Sequence, residues 1–125
     1  MPARCASLIS ILLLGFAACA RADVVEIRWS ADARYTYSGV VGAGKFVEVC
    51  GKLPAGEAVR WDFKAGRAVD FNLHYHLGKE VVLPSKLSAV TTGHDTLNTN
   101  IEQDYCWMWS NRSATPATLS VDLQR

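Results

Sequence analysis

Helical periodicity is missing from this chain: across 125 residues no window of useful length returns its apolar residues every three or four positions, which excludes helical and mixed folds. An excess of one charge is missing too. Thirteen basic residues stand against 12 acidic ones and are scattered along the chain, so there is no basic stripe with which to bind duplex or single-stranded nucleic acid. Apart from one N-terminal run, no segment approaches the roughly 20 apolar residues of a membrane-spanning helix. No repeat, linker or low-complexity tract divides the sequence, which implies a single domain. Catalytic signatures are also lacking. The carboxylates show no pairing pattern and Ser85, Ser88 and Ser110 stand in no nucleophile motif, so the expectation is a protein that is not an enzyme.

The N-terminus reads as a secretory signal over residues 1–22. Arg4 supplies the positive start, Leu8 to Ala18 the apolar run, and Ala18-Cys19-Ala20 or Ala20-Arg21-Ala22 a small-x-small cleavage site. An anchor helix is the competing reading, but the run is short for one. A lipoprotein anchored at Cys19 is another alternative, although Phe16 is unusual at the first position of the pattern that precedes a lipidated cysteine. Cleavage removes Arg4 and Arg21 and no acid, leaving 11 − 12 = −1 for the mature domain, residues 23–125. Of the four cysteines only Cys50 and Cys106 then remain in the body of the domain. Two thiols in an oxidising compartment generally pair. Closing a loop of roughly 57 residues contributes on the order of 4 kcal/mol on the chain-entropy account.

From Val24 onward apolar and polar residues alternate with period two, which is the pattern of strands half-buried in a sheet. Strands are expected near 24–30, 35–41, 45–50, 57–65, 68–76, 79–84, 86–92, 95–101, 104–110 and 117–124. The expected breaks are Gly42-Ala43-Gly44, Leu53-Pro54-Ala55-Gly56, Lys64-Ala65-Gly66, Leu77-Gly78-Lys79, Thr92-Gly93-His94-Asp95 and Asn111-Arg112-Ser113. About ten short strands so spaced imply an all-β antiparallel sandwich. Val59, Trp61 and Phe63 share one face of their strand, while Tyr105-Cys106-Trp107-Met108-Trp109 is apolar on both faces, as in a covered central strand.

At these residues the chain resembles the Golgi-dynamics (GOLD) domain, the lumenal β-sandwich of Golgi cargo receptors and of some phosphatidylinositol-transfer-like proteins. The resemblance covers roughly Val47 to Leu123. It rests on Leu53-Pro54-Ala55-Gly56, Val59-Arg60-Trp61-Asp62-Phe63, Asp70-Phe71-Asn72-Leu73 and Tyr105 to Asn111. Tyr105, Trp109 and Asn111 fall on the receptors' Tyr-x-x-Cys-Phe-x-Asn pattern, with Met108 at the cysteine position. Relative to that family Cys50 lies two residues late and Cys106 two residues early. On antiparallel neighbours such compensating steps keep a facing pair, so the resemblance implies a disulfide retained at a shifted rung. It implies a sandwich used for binding, without the receptors' coiled coil and membrane helix.

The sharpest chemical hint is Phe71-Asn72-Leu73-His74-Tyr75-His76, in which Phe71, Leu73 and Tyr75 face a core and Asn72, His74 and His76 the other side. Two imidazoles at i and i+2 suit a soft or borderline cation such as copper, with Met108 or His94 as a further ligand. The alternative is a pair of surface histidines, or hydrogen-bonded partners of Asn72 and Glu80. Trp107 and Trp109 are read as core, the competing role being an exposed ligand platform. Asn111-Arg112-Ser113 matches a glycosylation acceptor, though Asn in a turn accounts for it more simply. The expectation is therefore an exported binding module, bacterial and periplasmic or secreted, for an unknown protein or small ligand. A periplasmic copper-binding protein is the alternative.

Overall fold

One strand, β4 (Ala58–Leu77), organises the chain: the described strands form one continuous hydrogen-bonded sheet that curls into the two layers of a β-sandwich, here called its first and second sheets, and β4 runs through both. In the computed structural model, which describes residues 23–125, it is joined by β1 (Asp23–Glu26), β2 (Arg34–Val41), β3 (Phe46–Leu53), β5 (Glu80–Asn98), β6 (Gln103–Ser110) and β7 (Ala117–Gln124). The leader and its cleavage site, read over residues 1–22, lie outside the described residues. The first half of β4 pairs with β7 through Arg60 to Ala65 and with β5 through Thr92 to Asn98; β2 then pairs with β7 at the edge. Its second half pairs with β6 through Asp70 to His74 and with β5 through Glu80 to Val90, and β6 carries on to β3 and β1. Every pairing is antiparallel except that of β1 with β3.

Among the described residues seven strands are present where about ten were expected, because two of the expected breaks are not turns. Lys64-Ala65-Gly66 lies inside β4 and Thr92-Gly93-His94-Asp95 inside β5, and the expected separation of 79–84 from 86–92 is absent as well. Gly93 shows why glycine misleads there. A Cβ at that position would meet Phe63 Cε1 at 2.5 Å and Leu87 Cδ1 at 2.8 Å, so glycine admits the Phe63 ring within a strand. The register shifts between Lys64 and Val69, between Val69 and Phe71 and between Leu73 and Tyr75, which bends the β4–β5 hairpin from one sheet into the other. True turns do occur at Gly44, Gly56 and Gly78, all with positive φ.

The alternation places Trp61, Phe63, Phe71 and Leu73 in one buried core, joined by Trp107, Trp109 and Tyr105 from β6. Tyr75 packs against its edge, half-buried. Phe63 lies 4.9 Å from Phe71 and 5.6 Å from Trp109 between ring centroids, which ties both halves of β4 to β6. Replacing Phe63 with Ala is expected to cost about 3–5 kcal/mol in a denaturant titration. A change within measurement error would contradict this assignment of the core.

Candidate functional site

The outward face of the second sheet gathers the residues that the sequence singles out. Register sets Glu48 of β3 beside Met108 of β6 and Met108 beside Asn72 of β4; one rung along, Cys50, Cys106 and His74 stand in line. Cys50 and Cys106 form a disulfide with Cα atoms 4.2 Å apart, on the facing rung that the compensating shift implies. Such a bond fits an oxidising compartment.

His74 points away from the core yet is only 6% exposed, covered by its neighbours on this face. Its Nδ1 lies 2.7 Å from Asn72 Oδ1 and its Nε2 3.3 Å from Glu48 Oε1, while the His76 ring stands edge-on at 5.3 Å between centroids. Two acceptors around one ring would suit an imidazolium, whereas burial pushes the His74 pKa down, opposed by the Glu48 carboxylate and assisted by His76. At so low an exposure burial decides. A neutral ring protonated at Nδ1 donates to Asn72 Oδ1 and leaves Nε2 facing Glu48.

Of the expected metal ligands, His74 and His76 stand together with Met108 on the neighbouring strand, whereas His94 lies apart. His94 lies opposite Asp62 on the first sheet, in the other half of the hairpin from His74. Met108 Sδ lies 3.8 Å from Asn72 Nδ2. Among the described residues the one close group of metal-type donors is Glu48, His74 and Cys106, all within 4.8 Å, but that cysteine is spent in the disulfide. Both histidine nitrogens are likewise engaged. Trp107 and Trp109 are wholly buried, so they are core and form no exposed ligand platform. The other face of their strand carries Cys106, in the disulfide, and Met108. Asn111, 1% exposed, donates to Val41 and Thr115 carbonyls and accepts from Ser113, so its amide is committed to the turn.

Sequence reasoning missed the outward face of the first sheet. Across β2, β7, β4 and β5 one rung reads Arg34, Gln124, Arg60, Thr96 and the next Thr36, Asp122, Asp62, His94. All of these side chains except Thr36, with Trp61 and Asp95, line an open groove of about 510 Å³. Asp62 and Asp122 face each other directly, a repulsive arrangement. Arg34 forks onto Asp122, donating from Nε at 3.2 Å to both carboxylate oxygens, and His94 flanks Asp62 from the other side. Arg60 has no ion-pair partner among the described residues and stands exposed in the groove. The alternation of Arg60, Asp62 and Lys64 marks a wet face in the sequence, but only register reveals what lies beside it.

No family model matches the chain, and no curated protein matches it either. Solved structures do share its fold. The periplasmic inhibitor of g-type lysozyme, PliG, from Aeromonas hydrophila superposes with a TM-score of 0.59 at 15% identity, covering 83% of this chain and 96% of that one. The Salmonella Typhimurium PliG gives 0.56 at 18% identity, covering 83% and 98%. The pre-peptidase C-terminal domain of a Bacillus anthracis collagenase gives 0.54 at 8% identity, covering 83% and 95%. These likenesses establish the all-β sandwich.

Burial of neutral His74 makes stability depend on pH in a definite sense. With its folded pKa below the unfolded value, the group contributes stability that is complete above the unfolded imidazole range and lost as pH falls through the folded value. Comparing unfolding free energies of the protein and a His74→Gln variant from pH 8 to pH 5 isolates this slope, which is bounded by about 1.4 kcal/mol per pH unit. A protein that gained stability relative to the variant on acidification would show that Glu48 holds the ring charged.

Proposed function

We propose that this chain is an exported, periplasmic protein-binding module, with a glycan hydrolase of the lysozyme type as its partner class. The observation that carries the reading is the extent of the match to the lysozyme inhibitors, which takes in 83% of this chain and nearly all of each of theirs. The disulfide supports export, and the Golgi-dynamics resemblance supports the same general use of a sandwich, as a surface for binding. On this reading the groove of the first sheet is the contact surface. Its exposed Arg60, the Arg34–Asp122 pair and Asp62 offer charges of both signs on rigid strands, which suits the polar recognition of another protein. An apolar small molecule would find little to bury there.

Titrating residues 23–125 into a g-type lysozyme acting on a cell-wall suspension tests the reading. Hydrolysis should fall to a plateau with dose, and an Arg60→Ala, Asp62→Ala double variant should require roughly tenfold more protein for the same effect, a loss of about 1.4 kcal/mol. An undiminished rate at molar excess, with no heat of binding in calorimetry, would reject this partner class.

A further inference from the structure

The neutral, buried imidazole of His74 carries one proton for its two contacts. Asn72 takes it: Oδ1 accepts from Nδ1 at 2.7 Å, and the amide is held that way round by Nδ2, which points at Met108 Sδ 3.8 Å away. Nε2 is then left with its lone pair toward the Glu48 carboxylate, with Oε1 at 3.3 Å. Two electron-rich atoms so placed repel each other unless a cation stands between them. A shared proton would draw them to the roughly 2.7–2.9 Å of a charge-assisted hydrogen bond. The separation is wider than that, and it matches the spacing of two ligands on one tetrahedral metal ion, about 3.3–3.4 Å when each bond is about 2.0–2.1 Å long.

The surroundings of the pair complete a site. Glu48 on β3 and His74 on β4 reach toward each other over β6, and both donors lie within 4.8 Å of the Cys106 sulfur, which is bonded to Cys50 and unable to ligate. The hydrogen bond from Nδ1 to Asn72 is the outer contact that ligating histidines ordinarily make, and it fixes both ring and tautomer. His76 is exposed on the same face, with its ring centroid 5.3 Å from that of His74. Two imidazoles on one tetrahedral ion hold their centroids about 5.2 Å apart, so the His76 ring has only to turn about its side-chain bonds to present a nitrogen. Its exposure permits that turn, and it leaves the fourth position open to water.

We propose that Glu48, His74 and His76 form a site for a divalent cation of the zinc class, bound at Glu48 Oε1, His74 Nε2 and one nitrogen of His76, with water completing the tetrahedron. Two imidazoles and a carboxylate, without a thiolate, suit such an ion. The set differs from the one that the sequence suggests. Glu48 takes the place of His94, which lies in the other half of the hairpin, while Met108 steadies Asn72 and does not ligate. An ion held there would tie β3 to β4 across β6, next to the disulfide that ties β3 to β6, and would leave the groove of the first sheet untouched.

Calorimetric titration of the untagged protein, stripped of metal with a chelator, with zinc chloride tests this. The expected result is one ion per chain, a thermal midpoint that rises with zinc, and ring resonances of His74 and His76 that shift while those of His94 stay in place. Glu48→Gln and His76→Ala should each weaken binding roughly tenfold or more. His76 is exposed, so its replacement leaves the fold intact. Absence of both heat and ring shifts at millimolar zinc overturns the proposal, as does binding that the two variants leave unchanged. Should Glu48→Gln fail to fold, binding that His76→Ala leaves unchanged overturns it alone.

Discussion

The continuity of β4 through both sheets is the constraint on which the rest depends. Because one strand crosses the sandwich, its inward residues Val59, Trp61, Phe63, Val69, Phe71 and Leu73 belong to a single core and cannot shift register independently in the two layers. The bend that permits this needs residues without bulk or with irregular pairing. Gly93 lets Phe63 lie flat against β5, and the register shifts beyond Lys64 turn the hairpin over. With the core fixed, the outward residues of β4 fall on two different surfaces: Arg60 and Asp62 on one, Asn72, His74 and His76 on the other.

Those two surfaces have different physical characters. On the second sheet Asn72 and Glu48 engage both nitrogens of His74, which is buried beside the disulfide and Met108, so the face is closed there. On the first sheet Arg60, Asp62, His94 and the Arg34–Asp122 pair remain in solvent around an open groove. A closed, satisfied face adds rigidity, whereas an open one of mixed charge is available to a partner.

Much of the fold was readable from period-two alternation, because a strand with one buried face writes its core residues at every second position. Trp61, Phe63, Phe71 and Leu73 were identified in this way, and the Cys50–Cys106 pairing followed from export and cysteine count. Glycine inside β4 and β5 reads as turn chemistry, since a sequence does not distinguish a residue that must reverse the chain from one that must admit a neighbouring ring. The site was harder to read. The outward direction of His74 was correct, but its burial and its contact with Glu48 depend on cross-strand register. The same holds for Arg34 and Asp122, which are 88 residues apart and meet only because β2 pairs with β7.

The most direct test of the binding account is a titration of isotope-labelled residues 23–125 with a g-type lysozyme, followed by amide chemical shifts. The account predicts that shifts and broadening concentrate at Arg34, Arg60, Asp62, His94 and Asp122, with the amides of Asn72, His74 and Met108 on the opposite face unmoved. Spectra that do not change at saturating lysozyme, or changes confined to the His74 face, would contradict it.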